Sequence, residues 1–309
     1  MTYDSRYPRG RYREIDFVMK KITEKNINLT QIADSGQCFR MKKIDDGDGQ
    51  APKRAAGSGE KEGPDAAGSH VTYEIIARSR RVIATQEKDG ITLDCDDPED
   101  VAFWKKYFDV DTDTDYACVQ SLADPKDAYL TAAVRAGSGI RILRQDLWEM
   151  LVTFLISQQN NIPRIHKCID KVCREYGEQF PHHYGFPAPE SMADLRDDDL
   201  MPCNLGYRSK YVVRAARAVT GGELDLDGIS AMDYREAREA LLQVYGVGAK
   251  VADCICLFGL HHLNAFPVDT HVRQVLDREY GGDFPFDRYE GYAGVIQQYI
   301  FYKELLDGR

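Results

Sequence analysis

Apolar and polar positions divide the chain into two parts with different periods. Over residues 39–44, 71–77, 81–86 and 91–95 they alternate with a period near two, which predicts short half-buried strands, the last two joined by the turn Lys88-Asp89-Gly90. From about residue 98 the period lengthens to that of a helix. Helices are predicted over 127–136, 146–157, 162–176, 207–219, 234–244, 250–260, 270–280 and 289–306. The segment DLWEMLVTFLIS at 146–157 is apolar nearly all round, the mark of a helix buried inside a bundle. Residues 180–189, rich in Pro and Gly, read as a connector. The expected fold class is therefore α+β, with an N-terminal antiparallel sheet domain over 1–115 packed on a mostly helical domain over 116–309. Residues 45–70 carry Gly, Ala, Ser, Asp and Lys but no large apolar side chain, so a disordered insertion in a hairpin loop is expected there.

The length of 309 residues and the 43% hydrophobic content suit a chain with real cores. No apolar run approaches a membrane span, and the first residues lack the apolar core of a signal peptide. The eight cysteines are scattered through apolar helical patterns, which points to reduced thiols in a cytosol, either nucleoid-associated or, in a eukaryote, nuclear. Cys168 with Cys173, His182-His183 and His261-His262 match no tetrahedral spacing, so no metal site is expected from them.

The net charge of −10 opposes a polyanionic partner until the charges are located. Acids concentrate between residues 94 and 115, whereas 207–222 holds Arg208, Lys210, Arg214 and Arg217 and no acid. Local charge decides backbone binding.

The richest stretch is VYGVGAKVADCICLFGLHHLNAFPVDTHV, from Val244 to Val272. A Gly-Val-Gly turn at Gly246 and Gly248 leads into a helix that begins beside Lys250. Glycines let backbone approach an anion, and a helix start offers unpaired N–H groups. Lys250 and Cys254 are four apart and share one helix face. Asp269 stands where the next helix should begin, an ordinary N-cap position. The residues alone leave a phosphate site and an amine nucleophile with a helper carboxylate both open.

In this order and spacing, GVGAKVADCIC followed by FPVDTHV resembles the helix-hairpin-helix-GPD superfamily of DNA glycosylases, and within it 8-oxoguanine DNA glycosylase/AP lyase. Four further segments resemble that family in the correct order: Ser35-Gly36-Gln37-Cys38-Phe39-Arg40, Ser157 to Arg164, Leu205-Gly206-Tyr207-Arg208 with Tyr211-Val212, and Tyr292-Ala293-Gly294 with Gln297 and Phe301. The resemblance implies a glycosylase that flips 8-oxoguanine out of duplex DNA, opposite cytosine, and removes it through a lysine Schiff base with associated strand cleavage by β-elimination. It implies Lys250 and Asp269 as catalytic residues, and Gly36, Cys254, Gln297 and Phe301 around the base. DNA would be held by Gln159, Arg164, Tyr207, Arg208, Gly246, Gly248, Val251 and His271. Hairpin carbonyls in the family can hold a monovalent cation. The last cysteine is Cys256, so the iron–sulfur cluster of some superfamily members has no ligands here. A monomer is expected.

Three departures stand out. Tyr245 occupies a position where the hairpin usually has proline, Gln158-Gln159 replaces serine and asparagine, and Phe258 replaces a smaller side chain. Two rivals follow: a glycosylase for alkylated bases, which lacks a lysine at position 250, and a non-catalytic hairpin module, which needs neither Asp269 nor Gln297.

Overall fold

The computed structural model describes residues 18–24, 26–44 and 71–308; the insertion expected over 45–70 lies outside them. Five strands, β1 (Val18–Thr23), β2 (Met41–Ile44), β3 (Thr72–Ala77), β4 (Arg80–Glu87) and β5 (Gly90–Cys95), form one antiparallel sheet in the order β1-β5-β4-β3-β2. The pairing Ile75 with Val82 and Val82 with Cys95 puts these side chains on one face. That face packs on Leu29 and Ile32 of α1 (Leu29–Asp34) and on Trp104 and Tyr107 of α2 (Val101–Tyr107). The sequence pattern missed β1, α1 and α2. Lys20-Lys21 hides the alternation of β1, which β5 supplies by pairing Ile22 with Ile91. The two helices are too short for a period to show.

The helical body follows in chain order. It opens with α3 (Tyr116–Ser121), α4 (Ala128–Gly137), α5 (Leu147–Ser157) and α6 (Ile162–Tyr176). Next come α7 (Pro189–Ala193), α8 (Ser209–Thr220), α9 (Leu226–Ser230) and α10 (Tyr234–Leu242), then α11 (Ala249–Gly259), α12 (Thr270–Tyr280) and α13 (Ala293–Asp307). The expected helix over 207–219 opens as a 3-10 turn at Gly206–Arg208, and the one expected over 289–306 is preceded by another at Phe286–Tyr289. The short helices α3, α7 and α9 were not foreseen. Helix α5 is buried from Leu147 to Ile156, as its apolar circumference predicts, and packs on α11.

Two buried polar clusters join sheet to body. Arg40, after the Ser-Gly-Gln turn, meets Glu149 of α5 at 3.5 Å, each side chain 7% exposed, and also donates to the carbonyls of Arg78 and Tyr184. Asp109 is fully buried and accepts from Arg144 Nε at 2.7 Å and Tyr116 Oη at 2.8 Å, with His261 Nε2 at 3.3 Å. Burial pushes the Asp109 carboxyl up, but the bonds and charge of His261, with Tyr116 and Arg144, outweigh it and hold the carboxyl well below its usual range.

Because the folded-state pKa of Asp109 is depressed, its contribution to stability is present above the unfolded value near ~4 and is lost as pH falls through the folded value. Asp109→Asn should lower unfolding free energy at pH 7 by about 3 kcal/mol, since it leaves buried donors short of charge. Urea melts should show the gap between wild type and variant narrowing below pH 4.

Candidate active site

The hairpin between α10 and α11 is seated on aromatic rings. Gly246 has φ +93, and a Cβ there would lie 2.6 Å from the Tyr211 ring of α8. Its carbonyl accepts from Gln158 Nε2 at 2.9 Å, tying the hairpin to the loop after α5. Gly248 is the N-cap of α11, exposed, with no heavy atom within 4 Å of where a Cβ would stand. Among the described residues no side chain caps α11, so the N–H groups of its first turn, that of Val251 among them, have no described side-chain acceptor. The Val251 side chain itself is buried, and His271 is exposed on the first turn of α12.

Lys250 is half-buried in that first turn. Its Nζ stands 5.4 Å from the centroid of Phe154, which stacks on Phe258 at 5.5 Å. One turn on, Cys254 is 3% exposed. Burial pushes its thiol up; Lys250, by charge and hydrogen bond, pulls it down, and the charges of Asp253 and then Asp269 push it up again. Asp269 caps α12, one oxygen accepting from Val272 N–H at 2.8 Å.

Gln297 of α13 is 3% exposed, and its Nε2 donates to the Pro267 carbonyl at 3.0 Å. That carbonyl can only accept, so the amide orientation is settled, and Oε1 faces Gln298 Nε2 at 3.1 Å. Among the described residues the buried Gln298 Oε1 has no hydrogen-bond partner. Phe301, one turn beyond Gln297, is half-buried with its ring edge 3.0 Å from where a Cβ on Gly36 would stand. Gly36 has φ +73, so this close approach and this backbone both require glycine.

A third group gathers on the loop after α5. Gln159 is exposed at φ +46, and Arg164 is exposed with one bond to the Asn204 carbonyl at 3.3 Å. Tyr207 is 44% exposed, its ring 4.6 Å from the Arg208 guanidinium. Arg208 departs from expectation. It is 4% exposed and donates to the carbonyls of Gln158, Gln159 and Leu205, so here it braces the loop rather than offering its fork to a base. The structure thus sets Lys250 one turn before Cys254 on α11, joins Gly36 to Phe301, and sets Gln297 against the loop that leads to Asp269. Gln158, Tyr211, Phe154 and Gln298 carry structural duties around the site that sequence reasoning did not assign. Tyr211 and Gln158 stood inside segments already singled out; Gln298 gave no signal. Two hairpin carbonyls are engaged, Val244 O by Val247 N–H and Gly246 O by Gln158, and each keeps a second lone pair that a monovalent cation could use. Among the described residues no three His, Cys, Asp or Glu side chains converge as metal ligands.

The model of the 8-oxoguanine DNA glycosylase N-terminal domain matches residues 19–151, and that of the HhH-GPD superfamily base excision DNA repair protein matches 152–284. The chain belongs to the 8-oxoguanine glycosylase/lyase family of the HhH-GPD superfamily. Within it, the N-glycosylase/DNA lyase of Saccharomyces cerevisiae is 34% identical over 158 residues, covering 46% of this chain and 42% of that protein. The Arabidopsis thaliana N-glycosylase/DNA lyase OGG1 is 34% identical over 210 residues, 60% of this chain and 56% of that protein. These matches span about half the length of those two relatives. Among solved structures, MBOgg1 in complex with a low-affinity DNA ligand superposes with a TM-score of 0.79 at 29% identity, covering 95% of this chain and 100% of that one. The Clostridium acetobutylicum 8-oxoguanine glycosylase/lyase, in complex with duplex DNA containing cytosine opposite 8-oxoguanine, gives 0.79 at 28% identity over the same shares. The family assignment agrees with the expected α+β architecture. Among the described residues no helix is long and apolar enough to cross a membrane.

The two hairpin glycines should respond differently to alanine. Gly246→Ala forces a methyl into the Tyr211 ring at a left-handed φ and should cost about 1–3 kcal/mol of stability. Gly248→Ala, with open space and an extended φ of −100, should stay within about 0.5 kcal/mol of wild type while weakening duplex binding. Thermal melts and fluorescence anisotropy on the two variants check both halves.

Proposed function

We propose that this glycosylase excises 8-oxoguanine from duplex DNA and then cleaves the strand at the same site. The observation that carries the reading is the placement of Lys250: an amine on the first turn of α11, over Phe154, with Cys254 one turn on and Asp269 at the start of the next helix.

The amine is the nucleophile, and it attacks through its nitrogen lone pair. The Lys250 Nζ bonds to the sugar C1′ as the glycosidic bond breaks and the base leaves with the bonding pair, taking a proton. Ring opening gives a Schiff base on Lys250. Loss of a C2′ proton then expels the 3′ phosphate, which is the β-elimination. Asp269, held by its cap bond, stabilises the positive charge that develops at the sugar.

Recognition divides between sheet and helices. 8-Oxoguanine carries a hydrogen on N7 where guanine has a lone pair, so the Gly36 carbonyl accepts from the lesion and repels the normal base. One such buried contact can separate the two by roughly 10⁴-fold. Phe301 stacks on the extruded base, and Gln297 reads its edge with the lone pair and N–H that Pro267 and Gln298 leave free. Since Phe301 lies against Gly36, the base enters by moving that ring. Tyr207 fills the gap in the stack, and Arg164 is the exposed donor nearest the loop for the orphaned cytosine. An alkylated-base glycosylase would not need Lys250, and a grip-only hairpin would not need Gln297 buried and oriented beside Pro267.

Borohydride added during turnover should cross-link wild-type protein to 8-oxoguanine duplex. Lys250→Gln should abolish adduct and base release while retaining lesion binding, whereas Asp269→Asn should slow both by more than about tenfold and still form adduct. Adduct at wild-type yield from Lys250→Gln would end the assignment. Tyr207→Ala should reduce lesion processing far more than affinity for undamaged duplex, because the ring acts only after a base has left the stack. Equal losses on both would remove Tyr207 from that role.

A further inference from the structure

We propose that the face of α8 beside the hairpin, formed by Lys210 and Arg214 on the rings of Tyr211 and Tyr245, is a second contact for the phosphate backbone of duplex DNA flanking the lesion. The proposal rests on the reading that the chain handles duplex DNA, but not on the chemistry assigned to Lys250.

Arg80, Arg81, Arg144, Arg238, Arg278 and Arg288 each meet a carboxylate within 3.0 Å. Lys210 and Arg214 form no such pair with any described carboxylate. Their contacts are to aromatic faces instead: Lys210 Nζ lies 5.5 Å from the Tyr211 centroid and 6.0 Å from that of Tyr245, and the Arg214 guanidinium lies 4.1 Å from Tyr245. Glu223 and Asp225 line the same hollow of about 660 Å³ as Arg214 and Tyr245, yet neither pairs with Arg214. In a chain of net charge −10, two adjacent cations left without carboxylate partners are a local positive field.

Geometry makes the field directional. Lys210 and Arg214 are four apart and share one face of α8. Tyr211 stands edge-on to Tyr245 at 5.4 Å and to Tyr207 at 5.7 Å, so the rings form one row from Tyr207 to the hairpin. Tyr245 is 45% exposed and occupies the hairpin position that resembled proteins fill with proline. A ring there loses the stiffness of proline but lays a flat platform under Arg214. Stacking restricts the guanidinium while its edges remain free to donate, the arrangement suited to a phosphate. Since the Tyr211 ring also supports Gly246, the cations rest on the same rings that seat the hairpin leading into α11.

The test is the salt dependence of binding. Association constants for undamaged and 8-oxoguanine duplexes are measured against salt for wild type, for Lys210→Gln/Arg214→Gln and for the charge-retaining Lys210→Arg/Arg214→Lys. Each phosphate contact contributes about 0.9 to the slope of log K against log[salt]. The glutamine pair should reduce the slope by about 2 on both duplexes, the charge-retaining pair should keep it, and borohydride adduct at saturating DNA should be unchanged in all three. An unchanged slope in the glutamine pair overturns the proposal, as does an equal loss in the charge-retaining pair, which would assign the effect to packing. Loss of adduct at saturating DNA with an unchanged slope overturns it by assigning these residues to chemistry. The undamaged-duplex arm reads the surface even if no 8-oxoguanine is released, so failure of the glycosylase reading and failure of this one remain distinguishable.

Discussion

The structure depends on one buried amide. Gln37 is fully buried and has both ends of its side chain in use: Nε2 donates to Ser35 Oγ at 2.9 Å and the Arg141 carbonyl at 3.0 Å, and Oε1 accepts from Leu143 N–H at 2.9 Å. Its own carbonyl accepts from Gln145 Nε2 at 2.8 Å. A buried amide with partners like these specifies a unique register, since a slip would leave several groups unpaired at once. That register places Gly36 in its left-handed turn against Phe301. The Arg40–Glu149 pair three residues on fastens the same segment to α5. The sheet therefore contributes a single backbone turn to the site, and most of its bulk holds that turn still.

Around Lys250 the same economy recurs. Helix α5 is buried along its length and delivers Phe154 beneath Lys250; its C-terminal loop supplies Gln158, which holds the hairpin through Gly246 O, and whose own carbonyl is held by Arg208. Arg208 thus acts on the site through Gln158. Gln297, Pro267 and Asp269 form a parallel chain, in which one hydrogen bond couples α13 to the loop that presents the carboxylate. Both lysine and aspartate are placed by helix starts, where backbone donors are left over and a short side chain or an anion is needed to meet them.

Much of this was legible before any coordinates. The boundaries of α6 and α12 coincide with those predicted, because Asn161 and Asp269 cap them and an apolar period runs between cap and end. Strands β3, β4 and β5 were legible through alternation and the turn at Gly90. What escaped had no local signature. Strand β1 takes its identity from β5, and α2 is seven residues whose only evidence is the buried pair Trp104 and Tyr107. Arg208 could not be separated from Arg164 by sequence, since both are arginines in resembling segments; burial alone assigns one to the loop carbonyls and leaves the other exposed.

Periodicity, caps and glycine spacing are local properties of the chain, and they determined the α+β class and the hairpin, while the resemblance of its motifs to a family pointed to Lys250 and Asp269. Distances between segments far apart in sequence are not local. Only the tertiary structure could decide that Gly36 meets Phe301, that Gln298 orients Gln297 against Pro267, and that Tyr245 and Tyr211 seat Lys210 and Arg214 beside the hairpin. The physical reason is that each of these contacts is selected by the packing of whole elements, and side chains with many rotamers and several eligible partners carry no mark in sequence of the one they find.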